Sequence, residues 1–299
     1  MRNQLAILAL AALAAPAEAQ PKPKITVAIF APSVEFGTAT ARLAYVQALA
    51  KAIEQNTGLA VEAQSYANLA ALKKDNVDFA IIDGPCVATN PGWRLLATAI
   101  INGASARPYA LYASTGTEMQ ALKGKRLAYV AAGCNDAGFI DNAMLESEVD
   151  SAFFGARVGK PDLTSAIAEV ASVKAAHAVF APIGAIKGLT KVFDTGAVPN
   201  PAFVAIDTRL PATTINSVAS VVIGYGGAGA LGGWTRPSRD LYVTFASRLR
   251  RLVKSALFAT PEPVRIDAKD VLIEPPTIKD HAVLGVRQHF VRPSGDRLE

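Results

Sequence analysis

Residues 125–140 run Lys-Arg-Leu-Ala-Tyr-Val-Ala-Ala-Gly-Cys-Asn-Asp-Ala-Gly-Phe-Ile. The apolar run 127–130 predicts a buried strand, 133–135 a tight turn, and 136–148 a helix. A strand that feeds a glycine-bearing turn into a helix N-terminus aims free backbone N–H groups at the mouth of a sheet, which suits a small anion. The same pattern also makes an ordinary βα connection, and both readings stand at this level. The chain has two cysteines, Cys86 and Cys134. An even number in an exported protein permits one disulfide, and two unrelated buried thiols are the plain alternative. Neither lies in a CxxC or another metal-spaced cluster. His177, His281 and His289 are scattered with no carboxylate or Cys at ligand spacing, so no metal site is assigned. Gly224-Tyr-Gly-Gly-Ala-Gly229 matches GxGxxG in form, but Gly232, Gly233 and Pro237 oppose the helix that a dinucleotide site requires. HExxH, GxSxG and P-loop motifs are absent, and nothing local supports Cys86 with His177 as a nucleophile and base. No catalytic residue and no cofactor is assigned.

Positioning elements follow from periodicity. Residues 24–30 alternate with β-branched positions and predict a strand; 38–56 carries apolar residues at helical spacing, closed by Gly58. A strand over 59–65 ends at Tyr66, and Asn68 is placed to cap a short helix over 69–74. The run 77–82 is apolar throughout, as in a parallel strand buried on both faces, and leads to a turn at Asp83-Gly-Pro-Cys86. A strand over 95–102 completes a β-α-β-α-β block with a mainly parallel sheet. The pattern restarts with a strand over 109–113, a short helix over 117–122 and the 125–140 unit. A helix over 162–173, a strand over 177–181 and a helix from 183 follow. Strands over 191–193 and 202–207, a helix over 211–223, a glycine-dense stretch over 224–233 and an amphipathic helix over 240–258 come next. Prolines 261, 263, 275 and 276 break the pattern beyond that.

Composition narrows the class. Arg2, an apolar run over 5–15 and Ala17-Glu-Ala19 make residues 1–19 an export signal; the run is too short to anchor the chain, and no lipid-accepting Cys follows it. The expected product is exported, periplasmic in a Gram-negative cell. The formal charge of +5 is spread along the chain. Its densest basic run, 248–254, lacks interleaved aromatics, which argues against a nucleic-acid partner.

Taken in order, several short stretches resemble the periplasmic phosphate/phosphite/phosphonate-binding proteins of ABC transporters. They are Val61-Glu-Ala-Gln-Ser-Tyr66, Lys74-Asp-Asn-Val-Asp-Phe-Ala-Ile-Ile-Asp-Gly-Pro85, Tyr109-Ala-Leu-Tyr, Leu122-Lys-Gly-Lys-Arg-Leu-Ala-Tyr129 with Gly138-Phe and Phe153-Phe154, Val198-Pro-Asn-Pro201 and Leu231-Gly-Gly-Trp234. The resemblance covers about 24–253. It implies an α/β type II periplasmic binding protein fold with two lobes, a hinge and a central cleft. Lobe I would comprise 20–104 and 193–259, lobe II 105–192, with 260–299 as a C-terminal extension. It implies a monomer without enzymatic activity that captures a small solute by lobe closure and docks on a membrane ABC permease. The alternatives are presentation of the ligand to a membrane sensor, or an enzyme on the same fold.

By this resemblance Tyr66 and Tyr109 match tyrosines that bond ligand oxygens. The family's hydroxyl-rich ligand turn is replaced here by Cys134-Asn135-Asp136, and the family's histidine after the double phenylalanine is missing. A carboxylate in that turn would repel a doubly charged phosphonate. Asp83, Asn135 and Asp136 suit a neutral polar or amine-bearing ligand better. Cys86 and Cys134 are both expected to point into the cleft. There they could be a disulfide stapling the lobes, contributing roughly 4 kcal/mol by loop closure, or a pair of free thiols, with soft-metal capture as an extreme version.

Overall fold

In strand β1 (Lys24–Phe30) alternate side chains enter different cores. Ile25, Val27 and Ile29 pack with Val46, Leu49 and Ile53 of helix α1 (Ala39–Thr57), whereas Ala28 and Phe30 face the opposite side. This is the period-2 alternation of a strand covered on both faces. A computed structural model of the protein describes residues 23–250 apart from 208 and 228. The expected export signal, the end of the last predicted helix and the expected 260–299 extension lie outside the described residues. Thr38 caps α1 by accepting the Ala41 N–H at 3.0 Å, and Gly58 ends it at φ 72°. Strand β2 (Ala60–Ser65), helix α2 (Leu69–Lys74) capped by Asn68, and the fully buried strand β3 (Phe79–Ile82) follow as predicted. Asp83-Gly-Pro-Cys86, predicted as a turn, instead opens helix α3 (Gly84–Thr89), with Asp83 as cap and proline in the first turn, where a missing N–H costs nothing. Strand β4 (Arg94–Ile100) closes the block.

The second block contains strand β5 (Ala106–Ala113), a 3₁₀ turn (Met119–Leu122) and strand β6 (Arg126–Val130). Helix α4 (Asp136–Gly138) runs directly into a π-helix (Phe139–Met144). Strand β7 (Ala156–Lys160), helix α5 (Leu163–Ala171), strand β8 (Ala178–Pro182) and strand β9 (Thr190–Pro199) complete it. Three expectations fail here. The helix predicted over 136–148 changes hydrogen-bond register and ends at Met144, because Glu146 and Ser147 take positive φ (52° and 59°) and the Ser147 N–H bonds the Asp141 carbonyl. The helix predicted from 183 is a set of turns, with Gly184 and Gly188 at φ 90° and 85°. Strand β7 was not predicted at all.

Strand β10 (Ala202–Ala205), helix α6 (Ala212–Gly224), strand β11 (Gly233–Thr235) and helix α7 (Arg239–Leu249) return the chain to the first block. The first sheet has the order β11-β4-β10-β3-β1-β2, and the second β7-β6-β8-β5-β9. β1, β2 and β3 are parallel, but β10 enters from the second block against the direction of β3 and β4, so the first sheet is mixed. β9 pairs with β5 as far as Pro199, so the second sheet extends to that residue and the return to the first begins at Asn200.

Two crossings join the lobes side by side. The first leaves β4 through a turn at Asn102 and Gly103, both at positive φ, and the second is Pro199-Asn200-Pro201. Asn200 is 1 % exposed and stitches them together. Its N–H bonds the Ser105 carbonyl at 3.0 Å, and its amide donates to the Ala99 and Ala104 carbonyls at 3.1 and 2.7 Å. The Tyr242 hydroxyl of α7 donates to the Asn200 carbonyl at 2.9 Å. Gly84 lies against the second crossing so closely that a Cβ would stand 1.9 Å from the Pro199 oxygen. The inner faces of both sheets, with α3, the π-helix and α7, share one continuous apolar cluster, and each sheet has a separate outer core under its own helices.

Candidate functional site

Between the carboxyl end of β3 and the turn after β6 lies a cavity of about 30 Å³, room for one or two water molecules. Lobe I lines it with Ser33, Asp83 and Pro85. Lobe II contributes Tyr109, Tyr129, Asp136, Phe139, Leu163 and Phe180, together with Val130 and Ala132. The position follows from the fold: loops at the carboxyl ends of parallel strands face the crevice where the strand order switches.

Asp83 is 1 % exposed and sits where β3 becomes α3. Its carboxylate accepts the Ser33 N–H and the Gly84 N–H at 3.0 Å each, and the Ser33 hydroxyl. Burial raises its pKa above the ordinary carboxylate range, while the bonds from Ser33, the Arg107 guanidinium and the Gly84 N–H oppose the rise. Tyr109 on β5 is also buried, and desolvation pushes its hydroxyl up to about 12. Its ring meets Phe139 edge-on at 6.5 Å and lies under the Arg107 guanidinium at 5.8 Å.

Arg107, Glu35 and Ser33 form a second layer that the sequence reading did not find. Arg107 of lobe II is 6 % exposed; it donates to Glu35 Oε2 and to the Ser33 carbonyl at 3.0 Å each, both in lobe I. The Leu163 N–H, at the start of α5, donates across the same gap to the Pro32 carbonyl at 2.9 Å. One signal for Arg107 was available: a cation at the head of an otherwise apolar strand needs a buried partner. Its partners on the 31–37 loop carry no periodicity and could not be read.

In the turn, Asp136 turns back on its own backbone. Its carboxylate accepts the Gly133 N–H at 3.1 Å and the Cys134 N–H at 3.3 Å. The N–H groups expected to hold an external anion therefore already face an internal one. Asn135 takes a left-handed conformation, φ 63°, caps Gly138 and donates to the Leu249 carbonyl of α7 at 3.3 Å, so its side chain serves the back of the turn and is not among the lining residues. Tyr66 is likewise not among them; its hydroxyl donates to Gln64 and lies 3.0 Å from Asp75 Oδ2. Asp83, Tyr109 and Asp136 are brought together around the cavity.

Cys86 of α3 and Cys134 of the turn are joined in a disulfide, with their Cα atoms 4.9 Å apart. No free cysteine and no group of three or more metal-ligating side chains occurs among the described residues. His177 precedes β8 with its N–H on the Arg126 carbonyl. Gly224 ends α6 and Gly233 opens β11, so the GxGxxG stretch leads into a strand.

Two α/β sheets joined by paired crossings, with a cavity between their carboxyl-end loops, define the type II periplasmic binding protein fold, and this chain has it. The binding protein component of an ABC phosphonate transporter from Pseudomonas aeruginosa superposes with a TM-score of 0.59 at 14 % identity, covering 76 % of this chain and 85 % of that one. PhnD1 from Prochlorococcus marinus in complex with methylphosphonate gives 0.57 at 14 % identity, over 76 % and 98 %. A Xanthomonas citri protein bound to ATP gives 0.54 at 10 % identity, over 76 % and 97 %. No protein-family model and no curated protein matches the chain.

Proposed function

We propose that the protein is an extracytoplasmic solute-binding protein that holds a small polar solute between its lobes and delivers it to a membrane permease of the ABC type, without chemistry. The observation that carries the ligand class is the pair Asp83 and Asp136, one from each lobe, lining a single cavity. The walls between them are aromatic: Tyr109, Tyr129, Phe139 and Phe180. Carboxylates with aromatic faces favour a small amine or ammonium group, by charge and by attraction of a cation to ring faces. The same pair disfavours a phosphonate dianion, since the Gly133 and Cys134 N–H groups are taken by Asp136. The likeness to solute-binding proteins supports the reading at the level of fold.

A thermal-shift and calorimetric panel of methylamine, glycine betaine, neutral amides, phosphate and methylphosphonate tests the assignment. In assays of both the oxidised and the dithiothreitol-reduced protein, amines should raise the melting temperature of at least the reduced form, and the two phosphorus oxyanions that of neither. Micromolar binding of methylphosphonate, unchanged by Asp136→Ser, would overturn the ligand class.

A further inference from the structure

We propose that the Cys86–Cys134 disulfide is a latch on the cleft, so that only the dithiol form opens far enough to exchange a solute larger than water. The proposal rests on the cavity being the binding site. The bridge joins α3 of lobe I to the turn of lobe II and therefore crosses the gap that has to widen. Each half is fixed to its own lobe next to the cavity: Pro85 precedes Cys86, Asp136 follows Cys134 by two residues, and both Pro85 and Asp136 line the space. Disulfides span Cα separations up to about 6.8 Å. With 4.9 Å between the two Cα atoms here, the lobes can part at this point by only about 2 Å while the bond is intact. The cavity it guards has room for one or two waters, so a larger occupant requires more movement than that.

The other ties across the gap are of a kind that can break and re-form. They include the Leu163 N–H on the Pro32 carbonyl, the Arg107 guanidinium on Glu35 and Ser33, and, from α7, the Leu249 carbonyl under the Asn135 and Asn142 amides and the Arg248 guanidinium on the Ala143 and Thr195 carbonyls. The disulfide alone among them needs an electron donor. A dithiol reductant would supply two electrons and two protons, closing to its own disulfide as Cys86 and Cys134 become thiols. Cys86 is 0 % and Cys134 4 % exposed, so the exchange waits on local opening and the latch is slow.

Amide exchange on the full chain tests this without any ligand. The Leu163 N–H reports the gap, and those of Ile81 in β3 and Val179 in β8 report the interiors of the two lobes. The comparison is between the oxidised protein, the protein reduced with dithiothreitol, and the C86S/C134S and C86A/C134A variants; mass spectrometry counts the thiols. If the variants do not fold, the reduced wild type carries the test. We expect Leu163 exchange to rise on loss of the bridge by at least about tenfold more than that of Ile81 and Val179. Unchanged Leu163 exchange overturns the latch. So does a rise shared equally by all three amides, which would make the bridge a general stabiliser, or two free thiols in the protein recovered from an oxidising compartment. Failure of methylamine to bind in any form would sink the functional reading and leave the exchange result standing.

Discussion

Asn200 holds the hinge together through two amide bonds to carbonyls of the opposite crossing, and replacing it by Ala and by Asp separates hydrogen bonding from packing. Asn200→Ala removes the donors to Ala99 and Ala104. At about 1 kcal/mol for each buried neutral bond, with some loss of packing, the destabilisation is about 2–3 kcal/mol, a fall of roughly 4–6 °C in Tm for a chain of this size. Asn200→Asp keeps the shape but turns the donor into an acceptor aimed at two carbonyl oxygens. Burial and those oxygens raise the pKa of the new carboxyl in the folded state. A raised folded pKa gives stability that is present in full below the unfolded value, near 4, and is lost as pH rises through the folded value. The Asp variant should therefore be the less stable of the two at pH 7, by about 1–3 kcal/mol, and should recover at pH 4, where the protonated acid can donate once. Urea unfolding of the disulfide-intact proteins at both pH values measures this, each variant against wild type. An Asp variant with the same loss at pH 4 and pH 7, or an Ala variant within about 0.5 kcal/mol of wild type, would refute the account of the hinge.

Three further outcomes are expected. Gly84→Ala places a methyl group 1.9 Å from a backbone oxygen of the second crossing, which cannot swing aside, so a loss of about 3 kcal/mol in chemical denaturation is expected, and wild-type stability would rule the contact out. Arg107→Gln breaks the ties to Glu35 and Ser33; because Glu35 is partly exposed and can hydrate, the expected loss is only about 1–2 kcal/mol. Removing that charge also takes away a factor that lowers the Asp83 pKa, so the carboxyl stretch of Asp83 should titrate at higher pH in the variant, as difference infrared spectra would show. Asp83→Asn fixes the residue in a neutral form. Since the folded pKa of Asp83 is raised, wild-type stability relative to the variant should be greatest below the ordinary carboxylate range and should decline as pH rises through the raised value. A difference in Tm that stays flat from pH 4 to pH 8 would contradict it.

The regular elements of lobe I were readable because one periodicity governs each of them. β1, α1, β2, α2 and β3 fall at their expected positions, with the Thr38 and Asn68 caps and the Gly58 stop. Reading failed where short elements are held by neighbours and not by their own pattern. β7 has only partly buried or exposed positions and is a strand because β6 lies beside it. α3 looked like a turn because proline and glycine are its first residues. The full length of β9 is hidden because it bends through two irregular registers on β5, which obscures its alternation.

For the candidate site, the sequence alone determined the alternation of strand and helix, the place of the glycine turn at the mouth of a sheet, and the two carboxylates set near strand ends. These are local properties, fixed by side-chain period and turn chemistry within a few residues. What those groups do was decided only in three dimensions. Asp136 could have met a ligand but folds onto the Gly133 and Cys134 N–H groups; Tyr66 and Asn135 turn to Asp75 and to Leu249; Arg107 finds Glu35 from 72 residues away. Whether Cys86 and Cys134 meet depends on the two crossings laying lobe II against lobe I. Long-range pairing of this kind depends on how whole sheets come together, and no short stretch of sequence records it.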